Sequence, residues 1–317
     1  MTVRLRRSVL ACPGSNPRMM EKAAASAADE VFLDLEDACA PLEKPAARGK
    51  IVEALRSHDW RGKVRVVRIN QVGSQFALDD LREVVTGAGE VLDCIMVPKV
   101  QNSGDIAFVD RALGSLEQAL GLEVGRIGIE AQVEDALGLM NAEEIAFASK
   151  RIETITYGPA DFSAAMQFPN LTVANTYNYP GDIFHYVLFK LAVAARAAGI
   201  QVIDGPYLLI RDIEGFREAA GRAAALGYDG KWVLHPGQIE PCNEVFTPSQ
   251  KDFDRAVEIL EAYRHATEVE GRGAVMLGDE MIDEASRKMA MQFELRGRAA
   301  GLTPSTREEP MEAGAAG

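Results

Sequence analysis

Two carboxylates stand at points where a short strand-like run ends. Glu130 follows residues 126–129, and Asp161 follows the run at 152–157. Carboxylate oxygens with no Cys or His cluster beside them suit a hard divalent cation, Mg²⁺ or, as an alternative, Mn²⁺. We therefore predict that Glu130 and Asp161 bind Mg²⁺ directly, with water and substrate oxygens in the other coordination positions. The alternative interpretation is that Asp161 only caps the helix that follows it.

Three further charged residues extend this candidate site. Glu36 and Asp37 follow another apolar run and strengthen the metal interpretation. Arg68 lies inside an otherwise apolar run, and a buried arginine requires an acidic partner. Its planar fork suits a substrate carboxylate or a developing oxyanion. A salt bridge to Glu36 or Asp37 is the purely structural alternative.

Lys99 and His235 also follow strand-like runs, each beside a proline. A lysine at such a position can form a Schiff base with a carbonyl substrate. A metal site makes that role redundant, so we interpret Lys99 as an electrostatic or structural partner. His235 suits an acid, a base or a hydrogen-bond donor, and a structural loop histidine is the equal alternative.

The elements that must position these residues recur at a nearly constant spacing. One residue taken after each of eight runs gives positions 13, 36, 68, 99, 130, 161, 204 and 235, with steps of 23, 32, 31, 31, 31, 43 and 31 residues. A strand, a helix and their loops together consume about 30 residues. The pattern predicts a (β/α)₈ TIM-type barrel with its active site at the C-terminal ends of the strands. A doubly wound open sheet is the competing fold.

The eight predicted strands are short and largely continuous in hydrophobicity, as buried parallel strands are. They span residues 8–12, 31–35, 64–69, 94–97, 126–129, 152–157, 201–203 and 232–234. The one long step contains residues 162–180, which are rich in Asn, Pro, Tyr and Thr. We predict a loop there that forms a wall or lid for the ligand.

The pattern changes after the eighth strand. Residues 249–270 predict one amphipathic helix, residues 271–273 break it, 274–277 are extended, and 282–298 are helical again. We therefore expect a barrel over residues 1–240 and a C-terminal helical extension over 241–302 that covers a barrel mouth, its own or a neighbouring subunit's. Residues 303–317 have the composition of a disordered tail.

Composition and charge exclude several classes of partner. The net charge is −13 and the pI is near 4.9, which disfavours nucleic acid and anionic membranes. No apolar run approaches the ~20 residues of a membrane span, and the apolar stretch after Arg7 is too short for a signal peptide. Four cysteines without a CxxC pair predict reduced thiols. We expect a cytoplasmic protein.

Read together and in order, a set of short motifs covers nearly the whole chain and resembles the malyl-CoA lyase and citrate lyase β-subunit family. The matching stretches are residues 13–17 with 21–22, 33–37, 67–70, 97–99, 129–130, 158–162, 204–206, 230–236 and 281–283. The resemblance implies a modified TIM barrel that assembles as a homotrimer or homohexamer. It also implies reversible, Mg²⁺-dependent cleavage of (3S)-malyl-CoA to acetyl-CoA and glyoxylate, or of β-methylmalyl-CoA to propionyl-CoA and glyoxylate.

The same resemblance implies roles for individual residues. Glu130 and Asp161 would hold Mg²⁺, Glu36 and Asp37 would orient its waters, and Arg68 would bind the reacting oxygens. Asp283 would be a catalytic carboxylate supplied by a neighbouring subunit. The implied contacts to coenzyme A and substrate are Asn16, Arg18, Lys22, Ala160, Leu234 and His235. Asn16 departs from the family pattern, because close relatives often have arginine there and Arg18 would have to substitute for it.

Several other functions fit the same residues. A citramalyl-CoA lyase or another hydroxyacyl-CoA lyase would differ only in pocket shape, and a malyl-CoA thioesterase would hydrolyse the thioester. A citrate lyase β-type subunit would act on an acyl carrier protein. A catalytically silent barrel is the alternative from a different class, and the polar residue after every predicted strand argues against it.

Overall fold

The computed structural model describes residues 4–169 and 181–305, and the chain divides into two compact units. The first unit ends at Phe246 and the second begins at Thr247. The sequence-based boundary at residue 240 therefore cuts through a helix of the first unit.

Eight parallel strands form a closed barrel, which confirms the predicted fold. They are β1 Ser8–Pro13, β2 Glu30–Asp34, β3 Val64–Arg68, β4 Cys94–Val97, β5 Gly128–Val133, β6 Ile152–Tyr157, β7 Gln201–Asp204 and β8 Gly230–Val233. They pair in sequence order, and β1 closes the barrel by pairing with β8. The C-terminal ends of all eight strands therefore meet at one mouth.

Helices follow the strands and cover the outside of the barrel. Within the described residues they are α1 Pro17–Ala24, α2 Lys44–Ser57, α3 Ala77–Ala88, α4 Ser103–Leu120, α5 Ala136–Met140, α6 Ala142–Ala146, α7 Pro159–Ala165, α8 His185–Ala198, α9 Ile213–Ala225 and α10 Ile239–Val245. The predicted loop over 162–180 is wrong at its start, because α7 extends to Ala165. Residues 170–180 of that prediction lie outside the described residues.

Alternation along the strands separates two hydrophobic clusters. One cluster consists of inward-facing strand residues and includes Phe32, Met96 and Trp232. The other joins the outward-facing strand residues, such as Ile129 and Val133, to the helices. This arrangement follows from the period of two in a strand, and it gives most strands apolar residues on both faces.

Strand β5 differs from its predicted bounds in a way that changes the candidate site. The sequence predicts a strand that ends at Ile129, whereas the observed strand continues to Val133. The polar residues Glu130 and Gln132 lie within the strand and are buried. Glu134, not Glu130, is therefore the first residue after β5.

The second unit contains two helices and a small hairpin. Helices α11 Gln250–Glu268 and α12 Glu284–Ala299 pack against each other, and β9 Val275–Leu277 pairs with β10 Glu280–Ile282. Phe253 packs on Gly297, where an added Cβ would come within 2.2 Å of the ring. Both predicted helices are confirmed; the second strand of the hairpin was not predicted. The expected disorder beyond residue 305 lies outside the described residues.

Two further features concern the state of the cysteines and the length of the apolar helices. All four cysteines are buried free thiols. Across residues 4–169 and 181–305, no helix is long and apolar enough to cross a membrane.

Candidate active site

Four carboxylates that follow three different strands meet at the barrel mouth around Lys99. The Lys99 ammonium lies 2.6 Å from Glu36 Oε1 and 3.7 Å from an oxygen of both Asp37 and Asp161. The backbone N–H of Lys99 donates to Glu134 Oε1 at 2.8 Å. The loops after β2, β4, β5 and β6 thus bring four carboxylates and one ammonium group together.

The contacts of Lys99 depend on an unusual backbone conformation. Its φ of +52° lies in the left-handed region, which is uncommon for a residue with a side chain. The conformation directs both the amide and the ammonium toward carboxylates. Burial lowers the pKa of Lys99, but the hydrogen bond and charge of Glu36 outweigh it, so the pKa lies above its usual value. A protonated ammonium is a poor nucleophile, which supports the electrostatic interpretation over a Schiff base.

Glu134 is the site residue that the sequence interpretation missed. Burial, followed by the nearby charge of Asp161, raises the pKa of Glu134 to about 8. Gln132 Nε2 donates to Glu134 Oε2 at 2.7 Å. One sequence signal pointed to this residue: Asp135 caps α5 by accepting from the Gly138 N–H, so the strand had to end before Asp135, which places Glu134 at its end.

Glu130 does not lie at the mouth, and its prediction as a metal ligand is wrong. Its Oε1 atom lies 3.0 Å from an Arg6 nitrogen, and the same guanidinium contacts Glu30 at 2.6 Å and Glu153 at 2.7 Å. Arg6 precedes β1, so this buried ion cluster occupies the N-terminal end of the barrel. We therefore replace Glu130 with Glu134 as the candidate ligand beside Asp161.

Arg68 has an acidic partner that was not among those predicted. Its Nε and Nη2 atoms donate to the two oxygens of Asp34 at 2.8 and 2.7 Å. Glu36 Oε2 lies 3.3 Å from Nη1, which confirms one of the two predicted ion pairs. Burial lowers the pKa of Arg68, but these carboxylates outweigh it and raise the pKa above its ordinary value. The guanidinium is therefore a permanent cation beside the acidic cluster.

The residues that the resemblance assigns to coenzyme A and substrate lie on α1, α7 and the turn after β8. Asn16 caps α1 by accepting from the Met19 N–H at 3.2 Å. Arg18 and Lys22 are exposed on the same helix, and neither has an ion pair among the described residues. Helix α1 therefore presents two cations to solvent.

The remaining pocket residues are held by short turns. Ala160 is exposed in the first turn of α7, next to Asp161. Leu234 follows β8, and its N–H donates to Gln238 Oε1 at 2.9 Å. His235 is exposed, and its Nδ1 accepts from the Gly237 N–H at 3.0 Å. That contact supports the structural interpretation of His235 and leaves Nε2 as the nitrogen for a ligand.

Asp283 lies in the second unit and caps α12. Its Oδ1 accepts from the N–H groups of Ala285 and Ser286 at 2.9 and 3.0 Å. The hydrogen bond from the Ser286 amide holds the pKa of Asp283 below its ordinary value. The capping interpretation is thus observed, and the lowered pKa favours a role as base over a role as acid.

The donors at the mouth fit a divalent cation bound mainly through water. Glu134 and Asp161 offer hard oxygen atoms, and their mutual charge makes a bound cation favourable. Among residues 4–169 and 181–305, no group of three His, Cys, Asp or Glu side chains is arranged to hold a metal. Two protein ligands with water and substrate oxygens are a common arrangement for Mg²⁺.

The fold and the site together define a (β/α)₈ barrel enzyme with an acidic active-site mouth. The sequence model of the family described as HpcH/HpaI aldolase/citrate lyase matches residues 7–236. The chain belongs to this family.

Individual relatives agree with that membership. The chain is 40% identical over 297 residues to an L-malyl-CoA/beta-methylmalyl-CoA lyase of Rhodobacter capsulatus, covering 90% of this chain and 93% of the relative. It is 37% identical to the citrate lyase subunit beta of Haemophilus influenzae, covering 89% of this chain and 93% of that one. A crystal structure of CitE from Mycobacterium tuberculosis with magnesium, acetoacetate and coenzyme A is similar with a TM-score of 0.72 and 29% identity, covering 94% of this chain and 100% of that one.

Proposed function

We propose that this protein is a Mg²⁺-dependent carbon–carbon lyase that acts on a short hydroxyacyl-CoA. Its reaction is the reversible cleavage of (3S)-malyl-CoA to acetyl-CoA and glyoxylate, of β-methylmalyl-CoA to propionyl-CoA and glyoxylate, or of both. The observation that carries this proposal is the cluster of Glu36, Glu134 and Asp161 around Lys99, with Arg68 beside it. The similarity to the Rhodobacter capsulatus lyase supports the choice of substrate.

The metal site consists of Glu134 and Asp161, with Mn²⁺ as an alternative to Mg²⁺. Glu36 and Asp37 act through the metal's waters; Glu36 is already engaged by Lys99 and Arg68. When bound, the cation polarises the oxygens of the 2-oxo acid portion and lowers the pKa of the substrate hydroxyl.

Cleavage requires three events at substrate atoms. The hydroxyl loses its proton, the carbon–carbon bond breaks with its electron pair moving into the thioester enolate, and the enolate carbon gains a proton. Arg68 donates hydrogen bonds to the enolate oxygen, where negative charge develops. Burial raises the pKa of Glu36, whereas Arg68 and Lys99 oppose that rise, and Lys99 holds the Glu36 side chain in place. Asp283, from a neighbouring chain, exchanges the proton at the acyl α-carbon.

Coenzyme A binds along α1 and the turn after β8. Arg18 and Lys22 supply cations for its phosphates, while Asn16 fixes the start of the helix that carries them. Ala160, Leu234 and His235 line the acyl and 2-oxo acid pocket. Ala160 adjoins Asp161, which supports this assignment, since a small side chain beside a metal ligand leaves room for substrate.

The active form is a homotrimer or homohexamer in which the second unit of one chain covers a neighbour's barrel mouth. The second unit exposes Met276 and Met281, which pair across the hairpin, and Met289 and Phe293, which lie one turn apart on α12. Exposed apolar surface of this kind favours a protein contact. The buried free thiols suit a reducing, cytoplasmic location.

A product assay tests the proposed reaction. Purified protein is incubated with Mg²⁺, glyoxylate and either acetyl-CoA or propionyl-CoA, and the products are identified by mass spectrometry. We expect malyl-CoA or β-methylmalyl-CoA, and no product when EDTA is present. Full turnover by metal-free protein would contradict the metal assignment.

The same assay separates the alternatives. A thioesterase releases free coenzyme A from malyl-CoA without forming glyoxylate, whereas a citramalyl-CoA lyase requires pyruvate in place of glyoxylate. The similarity to the Haemophilus influenzae subunit favours citrate lyase β-type chemistry as the second candidate. Cleavage of a citryl thioester on an acyl carrier protein, with no activity on coenzyme A thioesters, would select it.

A further inference from the structure

The two edges of the Arg68 guanidinium have different surroundings. The edge formed by Nε and Nη2 is held by both oxygens of Asp34, at 2.8 and 2.7 Å. Nη1 makes only long contacts, 3.3 Å to Glu36 Oε2 and 3.4 Å to Gln132 Oε1. One edge is therefore fixed, while the other faces the acidic mouth.

The Asp34 carboxylate is fully committed to hydrogen bonds. Besides the two from Arg68, it accepts the backbone N–H groups of Glu36 at 2.8 Å and Ala38 at 2.9 Å. Its side chain is 1% exposed. Burial raises the pKa of Asp34, but Arg68 and the two amides outweigh it, so the pKa lies below its usual range. An ionised carboxylate with four donors has little freedom to move.

Two aromatic rings lie close to the guanidinium. The Arg68 Cζ atom is 5.5 Å from the Phe32 ring centroid and 5.4 Å from that of Trp232. Asp34 pairs with Arg68 in the β2–β3 register, and Phe32 precedes Asp34 by two residues, so all three face the barrel interior. The rings limit how far the guanidinium can move into the barrel interior, and Asp34 limits its rotation.

We propose that Asp34 is the positioning residue that aims the Nη1 edge of Arg68 at the reacting oxygen of the substrate, above Phe32 and Trp232. The identity of that oxygen rests on the proposed lyase function. Neutralising the charge of Arg68 does not by itself require Asp34, because Glu36 contacts the same guanidinium. What the two-oxygen contact adds is direction, and a misplacement of about 1 Å can cost on the order of 100-fold in rate.

Asp34→Asn tests this role. The amide keeps the shape of the side chain but places an NH₂ group against donors that need an acceptor, which breaks the two-oxygen contact. We expect kcat to fall roughly 100-fold. We expect KM for the acyl-CoA and the Mg²⁺ dissociation constant to stay within about threefold, because Asp34 touches neither ligand and the amide oxygen of asparagine can still accept the Glu36 N–H. Asp34→Glu, which keeps the charge but not the geometry, serves as the second variant if the asparagine protein does not fold.

A double-mutant cycle shows whether Asp34 acts through Arg68. Arg68→Lys removes the planar fork, so there is no edge left to aim. Adding Asp34→Asn to that variant should lower kcat by less than about threefold further, because residues that act as a unit are strongly non-additive. Two independent losses that multiply would overturn the proposal.

Asp29→Asn is the matched control. Asp29 holds Arg7 in the same way, with two side-chain contacts of 2.8 Å and a backbone N–H contact of 2.9 Å, at the N-terminal end of the barrel. We expect the control to lose stability as the Asp34 variant does while kcat stays near the wild-type value. A similar kcat loss in both variants would mean that Asp34 serves only the stability of the barrel.

A crystal structure of the Asp34→Asn protein separates this inference from the proposed function. Displacement of the Arg68 guanidinium in that structure supports the positioning role, and an unmoved guanidinium refutes it, whatever the substrate proves to be. If the wild-type protein cleaves no malyl-type thioester, the proposed function fails, and the position of the guanidinium still decides the role of Asp34.

Discussion

Glu130 lies within β5 and Glu134 directly follows it, and replacing each by glutamine should give opposite results. Glu134 lies at the mouth beside Asp161, whereas Glu130 pairs with Arg6 at the other end of the barrel. Glu134→Gln should therefore abolish Mg²⁺ binding and turnover. Glu130→Gln should leave both within about threefold of wild type, because Glu130 lies away from the mouth. Losses of about 100-fold or more are expected only for a group that is positioned at the reacting atoms.

Replacing Glu134 should also stabilise the metal-free protein. The pKa of Glu134 is raised from 4.5 to about 8, so the stability that this carboxyl group contributes is lost as pH rises from 4.5 to about 8. At pH 7 this loss is about 3 kcal/mol, at 1.36 kcal/mol per pKa unit. Neutral glutamine removes it, so Glu134→Gln should be more stable than wild type. In Glu130→Gln two effects oppose each other: the contact with Arg6 is weakened, but burial also raises the pKa of Glu130, so removal of its charge offsets part of that loss.

Thermal unfolding in EDTA and isothermal titration with Mg²⁺ check both expectations. At about 2–4 °C per kcal/mol, the melting temperature of Glu134→Gln should lie several degrees above that of wild type. Loss of Mg²⁺ binding in Glu130→Gln together with normal binding in Glu134→Gln would refute the placement of the site derived from β5. Equal losses in both variants would refute the assignment of one glutamate to each end of the barrel.

Three further predictions concern other parts of the chain. Lys22→Ala should raise KM for the acyl-CoA roughly tenfold with little change in kcat, and the effect should shrink in high salt; equal KM values at low salt would exclude the phosphate contact. The pKa of Glu117 is lowered because its burial is outweighed by hydrogen bonds from Arg151 and two amides, so its contribution is present above its unfolded pKa and is lost as pH falls through the folded pKa. Urea titrations should therefore show a smaller acid-induced loss of stability in Glu117→Gln than in wild type, and identical losses would contradict this. Inactive Asp283→Ala and Glu134→Gln proteins, dissociated and reassembled together, should recover part of the activity, whereas no recovery after verified subunit exchange would argue against a shared active site.

Much of the architecture was determined by local sequence. Most buried strands are short apolar runs with a polar residue soon after their end, and some helices have their own start signals, such as Asn16 before α1 and Asp283 before α12. These signals depend only on neighbouring residues, so the presence and order of the eight strands, the closed barrel and the C-terminal helices were predicted correctly, although β5 extends four residues beyond its predicted end. The gathering of Glu36, Arg68 and Asp161 at one mouth followed from the parallel order of the strands.

The tertiary structure decided how deep each side chain lies in the barrel. Glu130, Gln132 and Glu134 alternate with outward-facing residues, so the sequence alone gives all three the same face. At about 3.3 Å per residue, Glu130 and Glu134 are some 13 Å apart along the strand, enough to separate a buried ion cluster from the active-site mouth. The partner of Arg68 was decided in the same way, by the register that sets Asp34 opposite it. Register in a closed barrel is fixed by all eight strands together, and for that reason no single segment of the sequence specifies it.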